Sequence, residues 1–290
     1  MPAADVLIIG SAGYVGSHMS AAFARAGYRV AGLQRAGGTP VHNAYRAVPG
    51  DLADPPSLVH AARGFDLVIH LGAILNEELD LAGVDALIEA GSPLLITSGS
   101  DVLGAGQVGE DDVPHPHPLV GWRDEVERRA LAAGHRVIRP GLIYGAFGGV
   151  VQNMMVPLAR RLGAGVYVGP PDVRWGAVHV EDLPPLYLLV AEKAGPGTVW
   201  NAIAENVLVD RLAALVGCGR TISWPLDEPV PEEYAPIAGL FRLHQVVSSE
   251  RTRRELGWEP RHTDAVASLA REFAAAGLPV RPEDLAGKAS

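Results

Sequence analysis

Short apolar runs alternate with helix-like stretches throughout the first half of the chain. The apolar runs lie at 6–9, 29–33, 45–48, 67–71, 94–97 and 137–139, and the helix-like stretches at 15–26, 55–63, 79–90 and 120–133. This alternation is typical of βαβ units, because neighbouring parallel strands need a crossover between them, usually a helix. The sequence therefore predicts an α/β fold built on a Rossmann-type, doubly wound parallel sheet of six strands.

The pattern changes after residue 140, where the elements become shorter. A glycine-rich loop is predicted at 141–149, helices at 151–162, 182–193, 248–256 and 264–275, and a fraying tail at 278–290. The segment 225–236 contains four prolines and four carboxylates and reads as an extended loop or flap, or as a solvated connection. We expect a nucleotide-binding domain at 1–145 and a smaller, partly interleaved α/β substrate-binding region at 146–290.

Composition excludes several classes of protein. The net charge of −9 argues against nucleic acid or an acidic membrane surface as a partner, since both attract basic surfaces. The single cysteine, Cys218, excludes an internal disulfide and a cysteine-based metal cluster. The sequence has no run as long as a membrane span and no visible export signal. We expect a cytoplasmic protein whose partner is a small molecule.

Three glycines connect the first predicted strand to the first helix. They are Gly10, Gly13 and Gly16, in the spacing G-x-x-G-x-x-G. The first glycine allows a tight turn, the second lets backbone amides approach a pyrophosphate, and the third lets the helix pack close to the sheet. The intervening residues belong to the same candidate dinucleotide loop: Ser11, Ala12, Tyr14 and Val15.

The end of the second strand indicates which dinucleotide is bound. An NAD site usually has a carboxylate there, whereas this chain has Gln34 and Arg35. A guanidinium can hold a 2′-phosphate by a charge-assisted contact, so we expect NADP rather than NAD. The alternative is that Arg35 is an exposed loop arginine. Asp51 and Leu52, just after the third strand, are placed to touch the adenine edge.

Seven motifs in order resemble the extended branch of the short-chain dehydrogenase/reductase superfamily, which includes NAD(P)-dependent epimerases and dehydratases. Besides the glycine loop, they are Gly50-Asp51-Leu52 with Asp54, His70-Leu71-Gly72-Ala73, SGSDVLG at 98–104, Arg139-Pro140 with Ile143-Tyr144-Gly145, VHVEDL at 178–183 and ELGWEP at 255–260. The resemblance implies cofactor contacts from Leu71, Gly72, Ala73, Ser98, Arg123 and Pro140.

The chain departs from this family where the family does its redox chemistry. The usual active site is Y-x-x-x-K, in which the tyrosine is the proton donor. Alignment places Leu119 at the tyrosine and Arg123 at the lysine, and the serine or threonine that polarises the substrate aligns with Gly99. Leucine cannot transfer a proton. The resemblance therefore implies an atypical member that lacks the Tyr-x-x-x-Lys pair.

Other residues must then supply the chemistry. Tyr144, after the sixth strand, is the candidate acid, although it can equally pack against the cofactor. Ser98 and Ser100 can hydrogen-bond a substrate oxygen, and Asp101 can act as a base, touch the substrate or cap its loop. Arg123 can bind a ribose hydroxyl or an oxyanion, or lie in a solvated charged run.

Two further residues are candidates for the substrate side of the site. Trp175 can line an apolar cleft or belong to the core, and His179 can lie near the substrate or be a buried structural histidine. His115 and His117 lie two apart, but without a third ligand in sight we expect no metal site.

The leading hypothesis is an NADP-dependent oxidoreductase, a reductase or dehydrogenase, acting on a small organic substrate with a non-standard proton donor, Tyr144 or a serine-bound water. The alternatives are a non-redox epimerase, dehydratase or isomerase, and an NADP(H)-sensing protein without catalysis. The resemblance implies a homodimer with 120–133 as the candidate face, although the charged run WRDEVERR weakens that expectation.

Overall fold

The computed structural model describes residues 4–38, 42, 45–72, 76–225 and 241–286. Its strands are β1 Asp5–Ile9, β2 Arg29–Gln34, β3 Arg46–Pro49, β4 Leu67–His70, β5 Leu94–Thr97, β6 Gly106–Val108, β7 Arg136–Pro140, β8 Leu142–Gly145, β9 Gly165–Val168, β10 Arg174–His179, β11 Val199–Ala202, β12 Glu205–Leu208, β13 Thr221–Trp224 and β14 Gln245–Val247. Its helices are α1 Tyr14–Arg25, α2 Pro55–Ala62, α3 Glu77–Glu89, α4 Arg123–Ala132, α5 Val156–Leu162, α6 Leu183–Lys193, α7 Val209–Val216, α8 Glu250–Leu256, α9 Ala265–Ala275 and α10 Pro282–Leu285.

A parallel sheet of seven strands forms the centre of the molecule, in the order β11-β7-β5-β4-β1-β2-β3. The predicted α/β, doubly wound fold is confirmed, but the prediction of six strands was one short. The seventh strand, β11, comes from the second half of the chain and pairs with β7. The strand order reverses between β1 and β4, and in such sheets ligands bind at the carboxyl ends of the strands beside that reversal.

Helices cover both faces of this sheet because its strands are apolar on both sides. On one face α1 and α6 bury Met19, Phe23, Leu186 and Tyr187 against the strands. On the other face α2, α3 and α4 bury a second apolar cluster. Each fully buried large side chain stabilises the fold by about 1.5–3 kcal/mol relative to exposure. The two layers hold the strand ends, and therefore the loops that follow them, in fixed positions.

Smaller sheets pack beside the carboxyl edge of the large one. Strand β10 is parallel to its neighbour β8 and antiparallel to its other neighbour, β12. Strand β6 pairs with β14, and β9 pairs with β13. Helix α9 packs on β8 and α7 around a separate apolar cluster. The domain boundary at residue 145 stays a prediction, and β11 together with α6 shows how far the second half contributes to the first.

Several predicted boundaries need correction. The helix predicted at 120–133 begins at Arg123, because Pro118–Val120 forms a 3-10 turn. The helix predicted at 151–162 opens with a π-helical segment, Val151–Met155. The predicted tail includes α10, which starts on Pro282 and is held by the ion pair of Arg281 with the buried Asp284. Of the flap predicted at 225–236, residues 226–236 lie outside the described residues.

No helix in the described part of the chain has the length and apolar character needed to cross a membrane.

Candidate active site at the carboxyl edge of the sheet

A cavity of about 560 Å³ opens at the carboxyl edge of the large sheet. It extends from the start of α1 to the residues that follow β4, β5 and β7, and it ends at β10 and the segment 241–245. This volume lies within the range of small-molecule sites, and the edge is where an open α/β sheet binds its ligand. The cavity therefore defines the candidate active site.

The glycine loop has the conformation that its spacing predicts. Gly10 has a φ of +89°, a backbone angle that residues other than glycine rarely adopt. A Cβ on Gly16 would lie 1.9 Å from the carbonyl oxygen of Gly10, so α1 packs against the turn with no room for a side chain. Gly13 closes the turn by donating its amide to Gly10. These contacts fit a loop that brings backbone amides and the α1 N-terminus close to a pyrophosphate.

The other residues of the loop differ in their surroundings. Ser11 is buried and Ala12 is exposed, whereas Tyr14 and Val15 line the cavity. The Tyr14 hydroxyl donates to the carbonyl of Gly145 at 2.6 Å, and burial raises the pKa of Tyr14. Tyr14 therefore connects the dinucleotide loop to the loop after β8 and keeps its proton.

The predicted adenosine end lies around the carboxyl ends of β2 and β3. The Gln34 amide donates to the carbonyl oxygens of Arg35 and Gly38, at 3.2 and 3.3 Å, and Arg35 is exposed. Asp51 accepts the amide of Ala53, which shapes the turn after β3.

The residues after β4 complete this side of the cavity. Leu71 and Gly72 line it, and the Leu52 side chain lies close against Gly72. His70 is buried, and burial together with the Arg123 charge lowers its pKa to about 4, so it is neutral at pH 7. The predicted contact Ala73 lies outside the described residues.

The segment 98–101, after β5, contributes several polar groups to the cavity lining. The resemblance aligns Gly99 with the family's substrate-polarising serine or threonine, and a Cβ on Gly99 would lie 2.3 Å from Oδ1 of Asp101. The Asp101 carboxyl therefore occupies the space that a residue 99 side chain would fill. Burial raises the pKa of Asp101, and the Arg123 charge opposes that rise.

The two flanking serines have different partners. The buried hydroxyl of Ser98 has no hydrogen-bond partner among the residues the structure describes. The Ser100 hydroxyl donates to Gln245 at 3.0 Å, and the Gln245 amide returns two bonds to the carbonyl oxygens of Ser100 and Gly104. Ser100 is thus committed to holding its own loop, whereas Ser98 remains available to a ligand.

Arg123 lines the cavity from the start of α4 and is already paired. Its guanidinium lies 2.6 Å from Oδ2 of Asp80 and donates to the carbonyl of Thr97 at 2.7 Å. The indole of Trp122 donates to the same Asp80 oxygen at 2.9 Å. The cofactor contact expected of Arg123 stays a prediction, and in the pairing shown its charge is compensated by a buried carboxylate. Leu119 is partly exposed and does not line the cavity.

Two predicted site residues lie elsewhere. Tyr144 is completely buried, does not line the cavity, and its hydroxyl faces the carbonyl of His262 at 3.4 Å. His179 stacks on His262 with ring centroids 3.8 Å apart and bonds Glu272 at 3.2 Å. Burial raises the pKa of Tyr144. The structure therefore does not bring Tyr144 and His179 together with Ser98 and Asp101.

Trp175 and Pro140 do line the cavity, together with residues that sequence reasoning missed. Trp175 packs edge to face on Phe241, and Gln245 forms part of the same wall. Asp80 lies in α3, inside a stretch that reads as an ordinary amphipathic helix. No sequence signal could have identified it, because its role depends on the contact between α3 and α4.

Comparison with known proteins agrees with this geometry. Residues 6–90 match the model of the NAD dependent epimerase/dehydratase family. The chain is 28% identical to an uncharacterised protein of Schizosaccharomyces pombe, over 91% of this chain and 98% of that protein. It is 25% identical to 2-alkyl-3-oxoalkanoate reductase of Stenotrophomonas maltophilia, over 74% of this chain and 76% of the reductase.

Among solved structures, the fold is similar to that of dTDP-glucose 4,6-dehydratase from Bacillus anthracis in complex with NAD. The TM-score is 0.73 at 18% identity, with 90% of this chain and 93% of the dehydratase covered. At that identity the likeness shows the fold alone. Together with the family match over residues 6–90, it agrees with the resemblance to the extended short-chain dehydrogenase/reductase superfamily.

Proposed function

We propose that the protein is an NADP-dependent oxidoreductase of a small organic substrate in which Asp101 replaces the missing tyrosine as proton donor. One observation carries the proposal. The carboxyl of Asp101 fills the space beside Gly99, where the family's polarising side chain would project, and it lines the cavity. Because burial raises its pKa, Asp101 holds a proton at higher pH than an exposed aspartate does.

The preference for NADP rests on the end of β2. A neutral amide, Gln34, and an exposed cation, Arg35, stand where an NAD site usually has a carboxylate. A 2′-phosphate would meet no repulsion from these two residues and could pair with the guanidinium. The glycine loop supports a dinucleotide of either kind, so Arg35 is the residue that decides between them.

Residues of the chain itself then bind the substrate and donate the proton. When bound, the reduced nicotinamide supplies a hydride. The Ser98 hydroxyl hydrogen-bonds the substrate oxygen, and the Asp101 carboxyl donates a proton to that oxygen as negative charge develops on it. Arg123 and Trp122, both held by Asp80, form the wall beside these groups. The apolar surroundings exclude water, which strengthens the hydrogen bonds to the reacting oxygen.

Titration with NADPH and NADH side by side tests the cofactor assignment. The parent protein is expected to bind NADPH more tightly, and Arg35→Ala is expected to remove the preference while leaving NADH binding unchanged. Arg63→Ala is the matched control, since Arg63 is an exposed arginine at the C-terminal end of α2. Equal binding of both nucleotides by the parent protein would contradict the assignment.

The second candidate is a non-redox epimerase, dehydratase or isomerase, favoured by the family whose model matches residues 6–90. In that case nicotinamide would be oxidised and reduced again within one turnover. Substrate conversion with no lasting change in nicotinamide absorbance would favour this candidate over the net oxidoreductase.

A further inference from the structure

Most of the described lining of the candidate active site is apolar. Val15 and Leu71 face it from the dinucleotide side, Met154 from the segment before α5, and Trp175 with Phe241 from the far end. The Trp175 and Phe241 rings meet at 71° with centroids 5.2 Å apart, so this part of the lining is an aromatic pair. A ligand bound in this cavity would exchange its contacts with water mainly for contacts with carbon atoms.

The aromatic side chains that carry polar atoms already use them within the protein. The Tyr14 hydroxyl donates to Gly145 at 2.6 Å, and the Trp175 indole donates to the carbonyl of Leu243 at 3.1 Å. The Trp122 indole donates to Asp80. Each ring therefore offers the ligand only its apolar surface.

The small polar residues of the cavity are paired in the same way. The Thr97 hydroxyl lies 2.6 Å from the hydroxyl of Tyr187. Ser100 and Gln245 bond each other, as described above. Among the described side chains of the lining, the Ser98 hydroxyl has no partner, and the Asp101 carboxyl is bonded only by backbone amides of its own turn. Both groups belong to one short segment and are the candidates for binding a ligand. The described lining thus has one polar point, large enough for a single oxygen.

The charges of the lining also argue for an uncharged ligand. Arg123 is the cation among the described residues that line the cavity, and Asp80 lies 2.6 Å from it. Asp80 is almost completely buried, so solvent screens the pair weakly. A diphosphate or a carboxylate needs uncompensated cations or several donors to replace its hydration. Outside the glycine loop, which the dinucleotide would occupy, the described side chains of the lining carry no uncompensated cation.

We infer that the substrate is an uncharged, largely aliphatic carbonyl compound with one polar group, rather than a nucleotide-linked sugar or a carboxylic acid. This inference rests on the proposed function for the reacting carbonyl, and on the lining alone for the rest of the molecule. The carbonyl oxygen lies at Ser98 and Asp101, and the alkyl chain extends along Met154 toward Trp175 and Phe241.

Calorimetric titration of the NADP⁺-loaded protein with methyl ketones from butanone to decanone tests the inference without requiring turnover. Each methylene buried in an apolar cavity is expected to tighten binding by about fourfold until the chain reaches the aromatic end. UDP-glucose and decanoate, used as charged probes, are expected to bind more weakly than decanone. Affinity that does not change with chain length, or tighter binding of either charged probe, would overturn the inference.

Met154→Gln supplies the matched variant. It keeps the length of the side chain but places an amide in the wall, and Met154 is only half-buried, so the fold should tolerate the change. The fourfold gain per methylene is expected to shrink in this variant and to persist in Asn153→Gln, which alters the exposed neighbouring residue. An unchanged gradient in Met154→Gln would count against the proposed path of the alkyl chain.

The ketone titrations, together with NADPH oxidation assays on the same ketone series, separate this inference from the proposed function. A chain-length gradient without oxidation of NADPH would support the substrate class and contradict the reductase. NADPH oxidation with ketones of every length at equal affinity would support the reductase and overturn the substrate class.

Discussion

Replacing Asp101 with asparagine removes the proposed proton donor and keeps the shape of the side chain. In the parent protein burial raises the pKa of Asp101, against the opposing charge of Arg123. The protonated carboxyl can give its proton to a substrate oxygen. An amide at the same place donates a hydrogen bond but does not transfer a proton. The substitution therefore tests proton transfer separately from contact.

The expected loss follows from the position of the group. A positioned general acid contributes about 10²–10⁴-fold to the rate. Because Asp101 lines the cavity beside the partnerless Ser98 hydroxyl, we expect Asp101→Asn to lower kcat within that range. This corresponds to about 3–5 kcal/mol of transition-state stabilisation. The change in KM should be smaller, since the amide still contacts the ground-state carbonyl.

The pH dependence of kcat has a defined sign. The parent rate should be constant at low pH and fall as the pH rises through the raised pKa of Asp101, because the ionised carboxylate cannot donate. The residual rate of Asp101→Asn should lack this fall. The measurement is a steady-state rate profile of both proteins with the same ketone.

The contribution of Asp101 to folding stability should fall over the same pH range. The folded-state pKa of Asp101 lies above its ordinary value of 3.8, so its contribution to stability is fully present below pH 3.8 and is lost as the pH rises through the folded-state pKa. Asparagine stays neutral, so the melting temperature of Asp101→Asn relative to the parent should increase with pH. Asp172→Asn, at an exposed aspartate outside the cavity lining, should change neither rate nor stability. An Asp101→Asn protein with the kcat and pH profile of the parent would refute the assignment.

Three further substitutions probe the dinucleotide loop, the substrate oxygen and the support of the sheet. Gly16→Ala would place a Cβ 1.9 Å from the Gly10 carbonyl, so NADPH titration should show no binding; tight binding would contradict the account of the loop. Ser98→Ala should lower kcat/KM by up to about tenfold, the worth of one hydrogen bond, and an unchanged value would remove Ser98 from the site. Glu127→Ala leaves the buried Arg139 without its carboxylate, and urea unfolding should show a loss of about 3–5 kcal/mol; a loss below 1 kcal/mol would show that the pair is solvated.

Sequence reasoning predicted the sheet because its signals are local. The apolar runs, the glycine spacing and the helix periodicity of the first half all act within a few residues, and the structure has these elements within a few residues of their predicted ends. The missing strand, β11, lies after α6 in the second half. Its run Val199–Ala202 contains an asparagine and a tryptophan, and only its pairing with β7 makes it part of the large sheet.

The candidate site was predicted less completely, for a physical reason. Ser98, Asp101, Arg123 and Trp175 reach the cavity, because strand ends and the start of α4 place them there. Tyr144 lies within β8, which belongs to the small sheet with β10, and its hydroxyl faces His262 instead. Contacts between sheets decide this orientation, and one sequence does not show them.

The compensation of the Arg123 charge by Asp80 could not be predicted from the sequence either. Asp80 and Arg123 are 43 residues apart, and their pairing depends on how α3 packs against α4. Reading Arg123 alone suggests a site for an oxyanion. Reading it together with Asp80 gives a neutral wall, which changes the class of substrate that the cavity favours.

Hydride transfer from labelled cofactor tests the central claim most directly. The parent protein would be given NADPH carrying deuterium on the transferring face of nicotinamide C4, with each face labelled in turn, and the methyl ketone that it binds most tightly. Mass spectrometry and nuclear magnetic resonance of the product are expected to show one deuterium at the carbinol carbon for one of the two faces, with NADP⁺ formed in equal amount. A converted substrate without deuterium from either face, and with NADPH unconsumed, would contradict the oxidoreductase.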